Sequence, residues 1–95
     1  GAGERVHVAG VVTHRQRPGT ASGTVFLNLE DETGLLNVVC SAGMWKRYSR
    51  VGRRASALVV RGLVESADGA TSLVADRLQA GTIRLRPYEA IALLT

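Results

Sequence analysis

The segment Phe26–Cys40, FLNLEDETGLLNVVC, alternates apolar and polar side chains on both sides of an acidic turn. Alternation with a period of two is typical of a β-strand with one buried face. The turn Asp31–Gly34 consists of turn-forming residues, and its glycine can adopt a positive φ. We therefore predict a β-hairpin with strands at 24–30 and 35–40.

Strand-like alternation recurs on both sides of this hairpin. Residues 5–16 are rich in β-branched side chains and have Gly10 at their centre, which predicts a long strand bent at the glycine. Residues 57–65 and 71–78 alternate again. The Asp-Gly pair between them is a strong signal for a second hairpin.

One segment between the strands has a helical period. Its large apolar side chains recur on one helical face, and they are Met44, Trp45, Tyr48 and Val51. This pattern predicts a short helix at 41–51, capped by Ser41 or Gly43 and ended by Gly52. The two aromatic rings are predicted to pack on the core rather than to bind a ligand.

The order β-β-β-α-β-β predicts an all-β fold, a five-stranded OB-fold Greek-key barrel with one short helix between strands three and four. An SH3-like barrel is the nearest alternative, but it has no helix at that place. Ninety-five residues suffice for one small domain with one core. We assign residues 1–79 to the barrel and 80–95 to a C-terminal tail, which is a linker or a short helix beginning at Pro87.

Strand parity indicates a binding face on the outside of the predicted barrel. If Leu27 faces the core together with Val25 and Leu29, then Phe26, the only phenylalanine of the chain, faces outward with Asn28. Leu35, Asn37 and Val39 of the partner strand would share that face. An exposed ring can stack on unpaired bases, and the two asparagines can hydrogen-bond base edges. Two alternatives stay open: the ring lies in an interface between domains, or a bulge sends it into the core.

Basic residues supply possible phosphate contacts. The net charge is +4, and Arg15 and Arg17 in the first loop, with Arg61 in the fourth strand, are predicted to bind phosphates beside the outer face. A secondary basic patch lies in the predicted helix and just after it, comprising Lys46, Arg47, Arg50, Arg53 and Arg54. Such a patch either binds phosphate or is simply a solvated surface.

Several classes of site are not supported by the sequence. Cys40 is the only cysteine, so no internal disulfide can form, and His7 and His14 lack partners at metal-ligand spacing. No nucleophile with a positioned base is evident, so we expect no catalytic residue, no metal and no cofactor in this chain. No apolar run approaches the ~20 residues that a bilayer requires. We therefore expect a soluble, cytoplasmic, monomeric domain. The chain opens Gly-Ala-Gly-Glu-Arg without an initiator methionine, so we also expect a domain cut from a longer protein.

The stretch Val12–Cys40, followed by Met44-Trp45 and Leu73–Leu78, closely resembles the C-terminal OB domain of error-prone bacterial C-family DNA polymerases. These are polymerases of the ImuC type, relatives of the polymerase III alpha subunit. The resemblance covers about residues 4–79. The part FLNLEDETG is shared more loosely with the anticodon-binding OB domains of aminoacyl-tRNA synthetases.

The resemblance implies a function and partners. The parent would be a DNA-directed DNA polymerase in translesion synthesis and induced mutagenesis, with magnesium at catalytic carboxylates elsewhere in the protein. Its partners would be an ImuB-type polymerase and the sliding clamp. The domain itself would bind single-stranded DNA or, alternatively, dock polymerase subdomains or accessory mutasome proteins through Leu35 and Val39. The acidic residues of the turn, Glu30–Glu32, lack the scaffold of a two-metal site.

Overall fold

A computed structural model of the chain describes residues 2–19 and 22–81. Its elements follow the predicted order, namely β1 Arg5–Gln16, β2 Val25–Asp31, β3 Gly34–Cys40, α1 Ala42–Arg54, β4 Ala57–Ala67 and β5 Ala70–Ala80. The five strands close into a barrel in the order β1-β2-β3-β5-β4. The predicted fold class is therefore confirmed. The domain limit at residue 79 stays a prediction, and the helix predicted from Pro87 lies outside the described residues.

Strand β1 is long enough to serve two neighbours. Residues Arg5–Val11 pair with β4 and residues Val11–Gln16 pair with β2, both antiparallel. The register of β1 against β2 shifts between Val12 and His14, so one extra residue bulges there. The β3–β5 pairing is parallel, whereas the other pairings are antiparallel.

Alternate side chains of the strands fill the barrel. Buried side chains include Val25, Leu27 and Leu29 from β2 and Val38 and Cys40 from β3, in agreement with the predicted parity. Further core residues from other elements are Trp45, Leu58, Val60, Leu73, Ala75 and Leu78. Cys40 is fully buried in this core. Burial raises the pKa of its thiol to about 12, so it is not a reactive thiol at neutral pH.

Helix α1 begins as predicted but ends later. The Ser41 hydroxyl accepts a hydrogen bond from the Met44 amide at 3.3 Å, which is a regular N-cap. The prediction that Gly52 ends the helix is wrong, because the helix continues to Arg54. Gly52 serves packing instead: a Cβ built at this position would overlap the ring of Trp45. No helix within the described ranges is long and apolar enough to cross a membrane.

The β2–β3 turn has the predicted backbone. Gly34 has a φ of 130°, in the region that favours glycine. The Asp31 carboxylate accepts hydrogen bonds from the Thr33 hydroxyl at 2.6 Å and the Thr33 amide at 2.7 Å. The hydroxyl bond, followed by the amide bond, lowers the pKa of Asp31 from its usual value. The acidic turn is therefore held by its own short-range hydrogen bonds.

Candidate nucleic-acid interface

Phe26 lies on the outside of the barrel, at one end of a row of apolar side chains that crosses four strands. Cross-strand register places Phe26 opposite Val39, Val39 beside Val74 and Val74 opposite Leu63. The first three are partly exposed, and Leu63 is 37% exposed. At a strand spacing of about 4.8 Å this apolar row is about 14 Å long. The core placement of Phe26, left open by the sequence, is excluded.

A parallel row of polar side chains lies two residues further along each strand. Register aligns His14 with Asn28, Asn28 with Asn37, and Asn37 with Ser72. The amide of Asn37 donates to the Ser72 hydroxyl at 3.3 Å, whereas the side chain of Asn28 makes no hydrogen bond to a described residue. This polar row is about 7 Å from the apolar row. A flat ring above the apolar row would present its edge to the amide groups of Asn28 and Asn37, of which only that of Asn28 has no hydrogen bond to a described residue.

Arg15 does not lie on this face. The bulge at Thr13 reverses the parity of the last residues of β1, so Arg15 pairs with Leu27 on the inward side. Its Nε donates to the Gly52 carbonyl at 2.7 Å and its Nη2 to the Ala55 carbonyl at 2.5 Å. Arg15 therefore satisfies carbonyl groups at the end of α1, a structural role that sequence reasoning missed.

Arg61 is also separated from Phe26. It lies two residues beyond Leu63 on β4, beside Arg77 of β5, and its Nε donates to an Asp76 oxygen at 2.5 Å. Arg5 donates to the other oxygen of Asp76 at 3.1 Å. These contacts, the hydrogen bond from Arg61 first, lower the pKa of Asp76. The predicted phosphate contacts of Arg15 and Arg61 stay untested, but neither guanidinium is placed beside the aromatic ring.

Arg17 directly follows the end of β1 and is exposed. The five basic residues of the secondary patch are all exposed on α1 as well, namely Lys46, Arg47, Arg50, Arg53 and Arg54. Within residues 2–19 and 22–81, no group of three or more histidine, cysteine or acidic side chains is suited to hold a metal ion. The described surface therefore offers an aromatic ring, amide groups and cations.

The fold and the groups on its surface agree with the family that the sequence matches. Residues 6–80 match the family described as OB-fold nucleic acid binding domain. The chain belongs to this family. The OB domain is 64% identical over 77 residues to an error-prone DNA polymerase of Nocardia farcinica and 66% identical over 77 residues to one of Cutibacterium acnes. These matches cover 81% and 80% of the chain but only 7% of each polymerase.

Solved structures share the fold of the OB domain. Asparaginyl-tRNA synthetase from Pyrococcus horikoshii superposes with a TM-score of 0.69 at 21% identity, over 82% of this chain and 20% of the synthetase. A small single-stranded DNA binding protein from Mycoplasma pneumoniae gives a TM-score of 0.65 at 6% identity, over 85% of this chain and 97% of that protein. At these identities the likeness concerns the fold alone.

Proposed function

We propose that this OB domain binds single-stranded DNA across the outer face of β2 and β3. The observation that supports it best is the position of Phe26, exposed on the sheet and next to a row of polar side chains. A base stacked on such a ring gains ~1–3 kcal/mol, whatever its identity. The free amide of Asn28 and the amide of Asn37 would bind base edges within reach of the ring.

The same proposal extends to the parent protein. The identity to error-prone DNA polymerases supports an ImuC-type polymerase that carries this domain towards its C-terminus and acts in translesion synthesis and DNA repair in the cytoplasm. An ImuB-type polymerase and the sliding clamp would be its partners. The magnesium ions of the polymerase reaction would be held outside the described residues, which offer no suitable group of carboxylates.

A second function has a specific observation in its favour. Leu35 is 68% exposed at the start of β3, and Leu63 at the far end of the apolar row is 37% exposed. Apolar side chains on the surface of a sheet can be covered by another protein. The alternative is therefore a protein-interaction module that docks polymerase subdomains or accessory mutasome proteins through this face.

Fluorescence anisotropy with labelled oligo-dT, repeated over a range of salt concentrations, tests the DNA-binding proposal. Phe26→Ala should weaken binding by about 5- to 150-fold, which corresponds to the lost stacking, and should leave the salt dependence unchanged. Leu35→Ala is the matched control, since it removes an exposed apolar side chain outside the apolar row. An unchanged affinity in Phe26→Ala would contradict base stacking. No binding at all would favour the interaction module.

A further inference from the structure

A basic groove runs between the end of β1 and helix α1. It consists of two adjoining hollows of about 290 and 220 Å³, and both are lined by Arg17, Trp45 and Arg53. Lys46 lines the second hollow. We call this feature the α1 groove. Phe26, Asn28 and Asn37, the contacts proposed on the β2–β3 face, do not line it.

The cations of the α1 groove are not neutralised within the described part of the chain. Arg17, Lys46 and Arg53 make no salt bridge with a described residue. Arg15 also lines the first hollow, but its guanidinium donates to the Gly52 and Ala55 carbonyls. Helix α1 contains no aspartate or glutamate. Positive charges that converge without counter-charge repel one another, and a bound anion removes that cost. The charge pattern of the α1 groove therefore suits an anionic ligand.

Trp45 adds an independent observation. Its side chain lines both hollows and is only 5% exposed, and its indole Nε1–H is buried without an acceptor among the described residues. A buried donor without a partner is rare in native proteins, and an unseen water or ion is a common reason. An oxygen-rich group in the α1 groove would bring acceptors close to this donor.

The α1 groove is continuous with the proposed DNA-binding face. Gln16, which lines the first hollow, pairs with Phe26 across β1 and β2, and Arg17 is the next residue. Val25, which precedes Phe26, lines the same hollow. A strand whose base stacks on Phe26 therefore needs only a short continuation to reach the α1 groove.

We infer that the α1 groove binds the phosphodiester backbone of the same single-stranded DNA, immediately beside the base stacked on Phe26. Arg17, Lys46 and Arg53 hold its phosphates. This inference rests on the proposed function and divides the secondary basic patch into two parts. The remaining cations of α1, namely Arg47, Arg50 and Arg54, line neither hollow and make no specific phosphate contact.

Neighbouring arginines provide the test. Arg53→Gln and Arg54→Gln remove the same charge from the last turn of α1, but only Arg53 lines the α1 groove. With oligo-dT and the 95-residue chain, the salt slope of binding should decrease by about 0.7 in Arg53→Gln and in Lys46→Gln. Arg54→Gln should keep the slope of the unmodified chain. Circular dichroism checks that each variant is folded.

The single tryptophan gives a second readout. Because the chain has one tryptophan, it gives one indole N–H signal in an NMR spectrum. This signal should shift when oligo-dT is added, and it should shift less in Arg53→Gln than in Arg54→Gln. Equal salt slopes in Arg53→Gln and Arg54→Gln, or an indole signal that does not move, would overturn phosphate binding in the α1 groove. The proposed function would still stand if Phe26→Ala weakened the binding of oligo-dT. If the unmodified chain binds no single-stranded DNA, both proposals fall.

Discussion

Replacement of Arg15 by alanine distinguishes a helix-capping role from a phosphate-binding role. In the structure the Nε and Nη2 of this guanidinium donate to carbonyl groups at the end of α1, on Gly52 and Ala55. The sequence instead placed Arg15 among the phosphate contacts. Arg15→Ala should therefore lower the free energy of unfolding and have little direct effect on DNA binding.

The expected loss follows from the two hydrogen bonds. The bond to Gly52 is partly buried and has a charged donor, so it contributes about 1.5 kcal/mol. The bond to Ala55 is exposed and adds about 0.5 kcal/mol, which includes the favourable position of a cation at a helix C-terminus. The total of about 2 kcal/mol corresponds to a decrease in Tm of about 8–16 °C for a domain of this size.

Urea unfolding followed by Trp45 fluorescence measures this loss, since the ring packs against Gly52, whose carbonyl accepts from Arg15. Arg17→Ala is the control, because Arg17 is exposed and has no hydrogen bond to a described residue; its stability should change by less than about 0.5 kcal/mol. Arg15→Lys should recover only part of the lost stability, since one ammonium group cannot reproduce the two hydrogen bonds of the planar guanidinium. The reasoning would be refuted if Arg15→Ala kept full stability and lowered the salt slope of DNA binding.

Three further substitutions test the packing and electrostatics, each by urea unfolding. Gly52→Ala should cost about 1–3 kcal/mol because its Cβ overlaps the Trp45 ring, and a neutral result would contradict this packing. Gly34→Ala should cost about 1–3 kcal/mol through its φ of 130°, whereas Gly19→Ala, which has open space and no positive φ, should be neutral. Asp76→Asn should be destabilising at neutral pH. Because folding lowers the pKa of Asp76 below 3.8, this difference should disappear as the pH falls through the folded-state value, and a constant difference would argue against the ion pairs.

The elements and the outward position of Phe26 could be predicted because they depend on local pattern. Alternation over a few residues determines which side chains of a strand share a face, and the positive φ of Gly34 follows from the turn it occupies. The polar and apolar rows could not be obtained in this way. They require the parallel register of β3 against β5, which pairs Asn37 with Ser72 and Val39 with Val74 across long sequence separations.

Two errors have the same kind of cause. Arg15 is predicted to lie beside the outer face, but one extra residue at Thr13 puts it on the side of Leu27, and nothing in the composition of β1 signals that bulge. Gly52 is predicted to end the helix, but the helix continues to Arg54, and a glycine is needed there because the Trp45 ring lies against it. In both cases a tertiary contact overrides a local signal, and a single sequence does not contain that contact.

The parallel seam between β3 and β5 has a consequence for how a bound strand would affect the barrel. The two strands pair only along Asn37–Val39 and Ser72–Val74, so this is the shortest junction in the closed sheet. The apolar row crosses it. A molecule bound along that row would contact β2 and β3 on one side of the seam and β5 and β4 on the other. Binding should therefore slow amide hydrogen exchange at the β3–β5 seam before it does so elsewhere.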